Sequence, residues 1–415
     1  MAIRAGQILH VAGGFVIDRI QTGGAGQLNI PQEKVYELGN YQSVGIVRDV
    51  PDLTFSLECL ETDTEMEALL TGADPTAAAA GDKYELSKNL PIDIISPWKS
   101  PYGDFEAVRG VAVPALALES ASYRYGLREN AGETFSLRGD SIYYVPGAPY
   151  QDQFTGDGTL TAFTLSAGPA LTYTEGGSDY FALSVSVDGV RQFKGTDYTE
   201  TATTVTFTTA PAAGAKISVV YGSATTDTYA QTVHQGVAVK PAAIRGKDID
   251  VYFSTAIPGV DLGAGVGAAV EVRWPDVQSA TIDWRVTLED DYEFGNARAV
   301  AREATDVPAV TGAIEVKARS VEAMFTRLQQ ISGVPAGKII GPQSSIAGAL
   351  RIVLRNPESG GTTVSPAGTV LKTHYMPAVR FTLPGYEGRV QQKLTQTLNY
   401  ESDDGVLEIY KGAKP

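Results

Sequence analysis

The amino-acid sequence predicts a mainly β chain (all-β/α+β), with two related β-sandwich or barrel domains of one helix each and a small immunoglobulin-like β-sandwich between them. Three observations predict it. The chain repeats itself: Tyr36-Glu37-Leu38-Gly39-Asn40 returns as Tyr292-Glu293-Phe294-Gly295-Asn296, Asp49-Val50-Pro51 as Asp306-Val307-Pro308, and Val113-Pro114-Ala115-Leu116 as Met376-Pro377-Ala378-Val379. Each copy carries alternating apolar and polar stretches around a single helical one. Between the copies the composition turns to Thr, Ser, Gly and Ala, with closely spaced turn signals.

The first copy is assigned to residues 1–149. Thr54-Phe55-Ser56-Leu57-Glu58-Cys59-Leu60 and Val113-Pro114-Ala115-Leu116-Ala117-Leu118-Glu119 alternate as half-buried strands do. Between them Thr62-Asp63-Thr64-Glu65 reads as a capping box that opens a helix running to Leu70 and stopping at Gly72. Residues 150–223 hold short strands such as Leu183–Val187 and Thr204–Phe207, separated by turns such as Val187-Asp188-Gly189-Val190, a spacing that suits a small sandwich. The second copy, 224–415, repeats the first: strand residues Ile314-Glu315-Val316 lead to a helix from Ser320 to Leu328 that ends near Gly333.

Composition narrows the function. At 415 residues, 43% hydrophobic and 20% charged, the chain is ordinary globular material with no apolar run near the roughly 20 residues a membrane helix needs. The N-terminus lacks the apolar core of a secretion signal, so synthesis and assembly in a cytoplasm are expected. A net charge of −15 argues against tight nucleic-acid binding, which rests on Lys and Arg neutralising phosphates, but not against DNA sliding past. The single cysteine, Cys59, reads as a small apolar strand residue. His10, His234 and His374 have no acid, Cys or second His at ligand spacing. The glycine runs at 23–26 and 263–267 lack the context of a phosphate loop, and no Gly-x-Ser-x-Gly elbow occurs. No catalytic residue, cofactor or metal is expected. The acidic run Glu289-Asp290-Asp291 places neighbours on opposite faces of a strand, so Glu289, Asp291 and Glu293 share one.

The run from Val277-Gln278-Ser279-Ala280 through Tyr292-Glu293-Phe294-Gly295-Asn296 to Asp306-Val307-Pro308 resembles the major tail tube proteins of long-tailed bacteriophages, and the first copy keeps the same order. The middle segment, with Val187-Asp188-Gly189-Val190-Arg191-Gln192 and Phe207-Thr208-Thr209-Ala210-Pro211, resembles the β-sandwich modules that decorate phage tail proteins. Most tube proteins carry one tube domain and form hexameric rings; fused pairs form trimeric, pseudo-hexameric ones. The resemblance implies a virion protein, assembled in the host cytoplasm, whose stacked trimeric rings conduct DNA without binding it tightly and without contacting membrane. It further implies tape-measure, tail terminator and tail-tip or baseplate proteins as partners. Candidate lumen acids are Glu289, Asp291 and Glu293. Candidate ring-stacking loops include Gly23, Gly24, Gly26, Gly39, Asn40 and Asp49 in the first copy, and Gly295, Asn296 and Asp306 in the second. The middle segment, turn-bounded and foreign in composition, is expected to be dispensable for assembly. A rival reading makes the chain a phage or cell-surface adhesin whose middle sandwich binds glycan through Tyr173, Tyr180 and Phe181.

Overall fold

A computed structural model describes residues 11–12, 15–17, 20–26, 28–30, 32–36, 43–48, 51–60, 63–75, 77–98, 109–175, 177–223, 244–254, 271–292, 298–317, 321–334, 338–341, 347–356, 369–382 and 395–414. The chain is mainly β. The first copy contributes β1 (Ile20–Ala25), β2 (Gln32–Tyr36), β3 (Ser43–Arg48), β4 (Leu53–Leu60), α1 (Glu65–Leu70), β5 (Lys83–Glu85), β6 (Ile92–Trp98), β7 (Arg109–Gly126) and β8 (Gly132–Gly139). The second contributes β9 (Val277–Arg285), β10 (Leu288–Asp291), β11 (Ala301–Ala304), β12 (Ala309–Lys317), α2 (Val321–Ser332), β13 (Ala347–Arg355), β14 (Val370–Phe381), β15 (Thr395–Ser402) and β16 (Glu408–Lys411).

The repeat in sequence is a repeat in pairing. β1 pairs β4, β4 pairs β8, β8 pairs β7, and β7 pairs β6. In the same order β9 pairs β12, β12 pairs β15, β15 pairs β14, and β14 pairs β13. The short hairpins β2–β3 and β10–β11 occupy matching places.

The Val-Pro-Ala-Leu repeat has a structural reason. In both copies a long strand bulges there: Ile92 faces Leu116 and Ile94 faces Val113, passing over Pro114-Ala115, while Gly348 faces Val379 and Leu350 faces Met376, passing over Pro377-Ala378. Proline has no N–H to give a ladder, so it is tolerated at such a bulge. Ala115 takes a positive φ of 53° and gives its N–H to the Asp93 carboxylate at 2.8 Å.

α1 begins at Glu65 with Thr64 as its cap residue, and the Glu65 N–H donates to the Asp63 carboxylate at 3.2 Å; Thr62, the first residue of the expected capping box, lies outside the described residues. Gly72 (φ 70°) and Gly333 (φ 64°) follow the last turns of the two helices, where a left-handed residue is needed. Between the copies, Ala148–Thr155, Lys216–Ser223, Ala182–Val187 and Val190–Arg191 form one sheet, and Ala162–Thr164, Thr204–Phe207 and Tyr198–Glu200 a second. Phe163, Val205, Phe207, Val219 and Tyr221 fill the core between them.

The two copies meet along two seams. β7 pairs β9 from Gly126↔Ser279 to Ser120↔Arg285, and β16 pairs both β14 and β5. Behind these ladders Lys372 of β14 is fully buried, with its Nζ 2.6 Å from Glu67 on α1 and 3.2 Å from Glu133 on β8. Beside it, His374 Nε2 lies 2.8 Å from the Tyr125 hydroxyl and its ring packs on Tyr123. Cys59 is buried in the same core, and burial, then Glu133, Glu67 and Glu58, push its thiol pKa up. Replacing Lys372 with Met strands two buried carboxylates and should cost about 3–5 kcal/mol. Adding Glu67→Gln and Glu133→Gln should recover most of that loss, read from urea unfolding midpoints of the two variants.

Candidate channel face and assembly edges

Because β7 of the first copy pairs β9 of the second, the two half-sheets merge. β1, β4, β8, β7, β9, β12, β15 and β14 form one antiparallel sheet of eight strands. Strand alternation gives it two unlike faces. Phe55, Leu57, Phe135, Tyr123, Ile282, Trp284, Ile314 and Leu398 point into the core. The other face carries rows of small polar residues that run across the ladder: Thr22, Glu58, Thr134, Ser122, Asp283, Thr311 and Glu401 form one row, and Gly24, Ser56, Ser136, Ser120 and Arg285 the next.

This face is polar without being acidic. Glu58, Asp283 and Glu401 are matched on the same side by Arg124, Arg285 and Arg380. Hydroxyls tie down part of the charge: Ser122 donates to Asp283 at 2.6 Å and Ser279 to Glu315 at 3.3 Å. These residues were missed in sequence as a group, although their alternation in each strand was the available signal.

The sheet ends at β1, whose outer edge pairs no strand among the described residues. Gly23 and Gly24, expected in a loop, are ladder residues of β1 opposite Leu57 and Ser56, and the Gly26 N–H continues the pairing to Thr54 O at 2.8 Å. The correction has a simple cause: glycine keeps its N–H and so can serve as a ladder residue, and at Gly24 an added Cβ would meet nothing within 4 Å.

The other expected site residues fall on or near the two hairpins. Glu289 and Asp291 are both exposed on one face of β10, as alternation requires, but among the described residues β10 pairs only β11 and is not a strand of the eight-stranded sheet. Asp306 is exposed in the turn between β11 and β12. Gly39, Asn40, Asp49, Glu293, Gly295 and Asn296 lie outside the described residues.

Asp290, between the two exposed acids, faces the other way into an ion-pair chain that joins all three segments. Asp52 of the first copy pairs Arg138 at 2.9 Å, Arg138 pairs Asp290 at 3.3 Å, Asp290 pairs Arg302 at 2.7 Å, and Arg302 pairs Asp140 at 3.3 Å. Arg191 of the middle sandwich closes it, gripping Asp140 with two hydrogen bonds of 2.8 and 3.0 Å. Burial alone would raise the Asp140 pKa, but the charge and hydrogen bonds of Arg191, with Arg302 and Ser141 behind them, hold it at about 2. Nearby, Ser218 and Gln151 of the sandwich hydrogen-bond the buried Asp93, whose pKa burial pushes up. Leu183 and Val220 pack with Val11, Ile95 and Ala112 of the first copy.

These contacts change the expectation for the middle segment. Turn-rich boundaries suggested a dispensable module, yet removing it strips Asp140 of Arg191, and Asp93 of Ser218 and Gln151. Its aromatic candidates are also occupied: Tyr173 and Tyr180 stack with centroids 5.2 Å apart, Lys194 lies 4.8 Å over Tyr180, and Phe181 packs against the sandwich core.

Compared with known proteins, the chain matches no family model and no curated sequence. Among the described residues no helix is long and apolar enough to cross a membrane.

Two outcomes are expected of the Asp140 cluster. Deleting 150–223 should lower stability by more than 2 kcal/mol, on the scale of a broken buried ion pair, read by chemical denaturation. Because the folded pKa of Asp140 lies below its unfolded value, the carboxylate stabilises at neutral pH and that contribution fades as pH falls from about 4 toward 2. Asp140→Asn should therefore shrink the wild-type advantage over this window by about 2 kcal/mol; parallel pH profiles would refute the assignment.

Proposed function

We propose that the protein is a structural subunit of a phage tail tube, with two tube domains and a decorating immunoglobulin-like sandwich between them, three chains forming each pseudo-hexameric ring. One observation carries the reading: two repeated halves join edge to edge into a single sheet, and among the described residues the same joint is half-made at β1. An open edge of unpaired backbone groups invites another strand. Since β9 receives β7 of its own chain, its counterpart β1 is built to receive the matching strand of another chain. Two units per chain and six per ring give three chains. Fusion makes every second joint intramolecular and lowers the entropy lost on assembly.

The polar sheet face lines the channel in this reading. A wall of hydroxyls with balanced charges offers no array of cations to duplex phosphates, so DNA passes without being held. The hairpins β2–β3 and β10–β11, with the turn at Asp306, reach toward the neighbouring ring. A tape-measure protein occupies the lumen during assembly, a terminator and a tail-tip or baseplate protein close the ends, and the tube belongs to the virion after assembly in the host cytoplasm.

Electron microscopy of the purified protein at rising concentration should show tubes with threefold cross-sections and six similar inner lobes. Rings of six intact chains, or a chain that never associates, would overturn the reading. Thr54→Lys, Ser56→Lys and Thr397→Lys add cations to the proposed wall at exposed positions, where a substitution costs about 0.5 kcal/mol or less. Tubes carrying all three should form normally and release DNA more slowly at low salt than at high salt. Normal release at low salt would remove this face from the channel.

A further inference from the structure

The intramolecular joint is a template for a contact between chains. On the second copy, Lys372, His374 and Ile409 are all fully buried where they meet the first. Strand pairing fixes their counterparts on the first copy. Leu354 faces Lys372 as Trp98 faces Arg109, Ile352 faces His374 as Ser96 faces Val111, and Ile409 lies beside His374 as Tyr144 lies beside Val111. None of the three counterparts is buried: Arg109 is exposed, Val111 half-buried, and Tyr144 74% exposed.

The receiving side shows the same asymmetry. Glu67 and Ala68 of α1 are fully buried under the second copy, whereas their counterparts on α2, Met324 and Phe325, are half-buried and 49% exposed. Glu133 accepts Lys372, whereas its counterpart Gln396, equally buried, has a side-chain oxygen with no hydrogen-bond partner among the described residues. The exposed apolar groups of the chain thus include members of a contact already made once, and an orphaned polar atom sits where a base is received in the first copy.

We propose that Arg109, Val111 and Tyr144 of one chain seat on Met324, Phe325 and Gln396 of a second copy of this chain, Arg109 taking the place that Lys372 holds within the chain. The ring reading supplies the closure; the contact itself needs only the duplication. It differs from the intramolecular joint in chemistry, because Arg109 meets an amide and a thioether where Lys372 meets two carboxylates.

Arg109→Glu and Tyr144→Asp change exposed groups, so monomer melting should stay as in the wild type while the concentration needed for assembly rises at least about tenfold, as for loss of an interface anchor. Coupling Arg109→Glu with Met324→Lys introduces an opposite-charge pair across the contact and should bring that concentration back to within about threefold of wild type. Wild-type assembly by both single variants, or a charge-swapped pair no better than Arg109→Glu alone, overturns the contact while leaving the tube reading in place. Closed wild-type trimers that never stack, yet respond to the variants in this way, support the contact and overturn the tube reading. A wild-type chain that stays monomeric at every concentration overturns both.

Discussion

Everything in this structure depends on the ladder between β7 and β9. A β-sheet edge presents N–H and C=O groups that must be paired, covered or disfavoured, and a duplicated sheet has two such edges to manage. Here one copy's edge satisfies the other's, which turns two half-sheets into one surface with a buried and a polar face. The core under that surface is then shared, so neither copy is a separable bead on a string. The outer edge of β1 pairs no strand among the described residues, and it is the growing point in the proposed assembly.

Buried charge marks the seams where the segments meet. Lys372 with Glu67 and Glu133 sits between the two copies, and Asp140 with Arg191 and Arg302 sits where the sandwich meets both. Such clusters gain little net stability over an apolar core, because desolvation offsets most of the attraction. Their effect is on geometry: a misdocked segment leaves a charge buried and unpaired, which costs several kcal/mol, so only one relative placement is tolerated.

Local features were legible in the sequence and tertiary ones were not. The Val-Pro-Ala-Leu repeat, the alternation of Thr54–Leu60 and the two helix-ending glycines each carry their cause within a few residues, so the mainly β class and the repeat followed directly. Glu289 and Asp291 share a face as read, but which sheet their strand joins depends on pairing, and β10 pairs only a hairpin partner. Gly23 and Gly24 look like a loop because glycine signals a turn and an edge strand equally well. The ion clusters escaped notice because their members lie as far apart as Glu67 and Lys372, or Asp140 and Arg302, and no periodicity connects them.

The two joints of the repeat need not be equally strong, and chemistry indicates that they are not. Within a chain the contact forms at the high effective concentration of a covalent tether and encloses a lysine between two carboxylates. In the proposed contact between chains the receiving groups would be Met324 and Gln396, which demand no buried ion pair on association. The proposed joint, formed by diffusion, would desolvate Arg109 alone, while the joint that forms once, during folding, encloses three charged groups and gains a fixed register. On this proposal, divergence of the two copies at these few positions separates the contact within the subunit from the contact that would let subunits add.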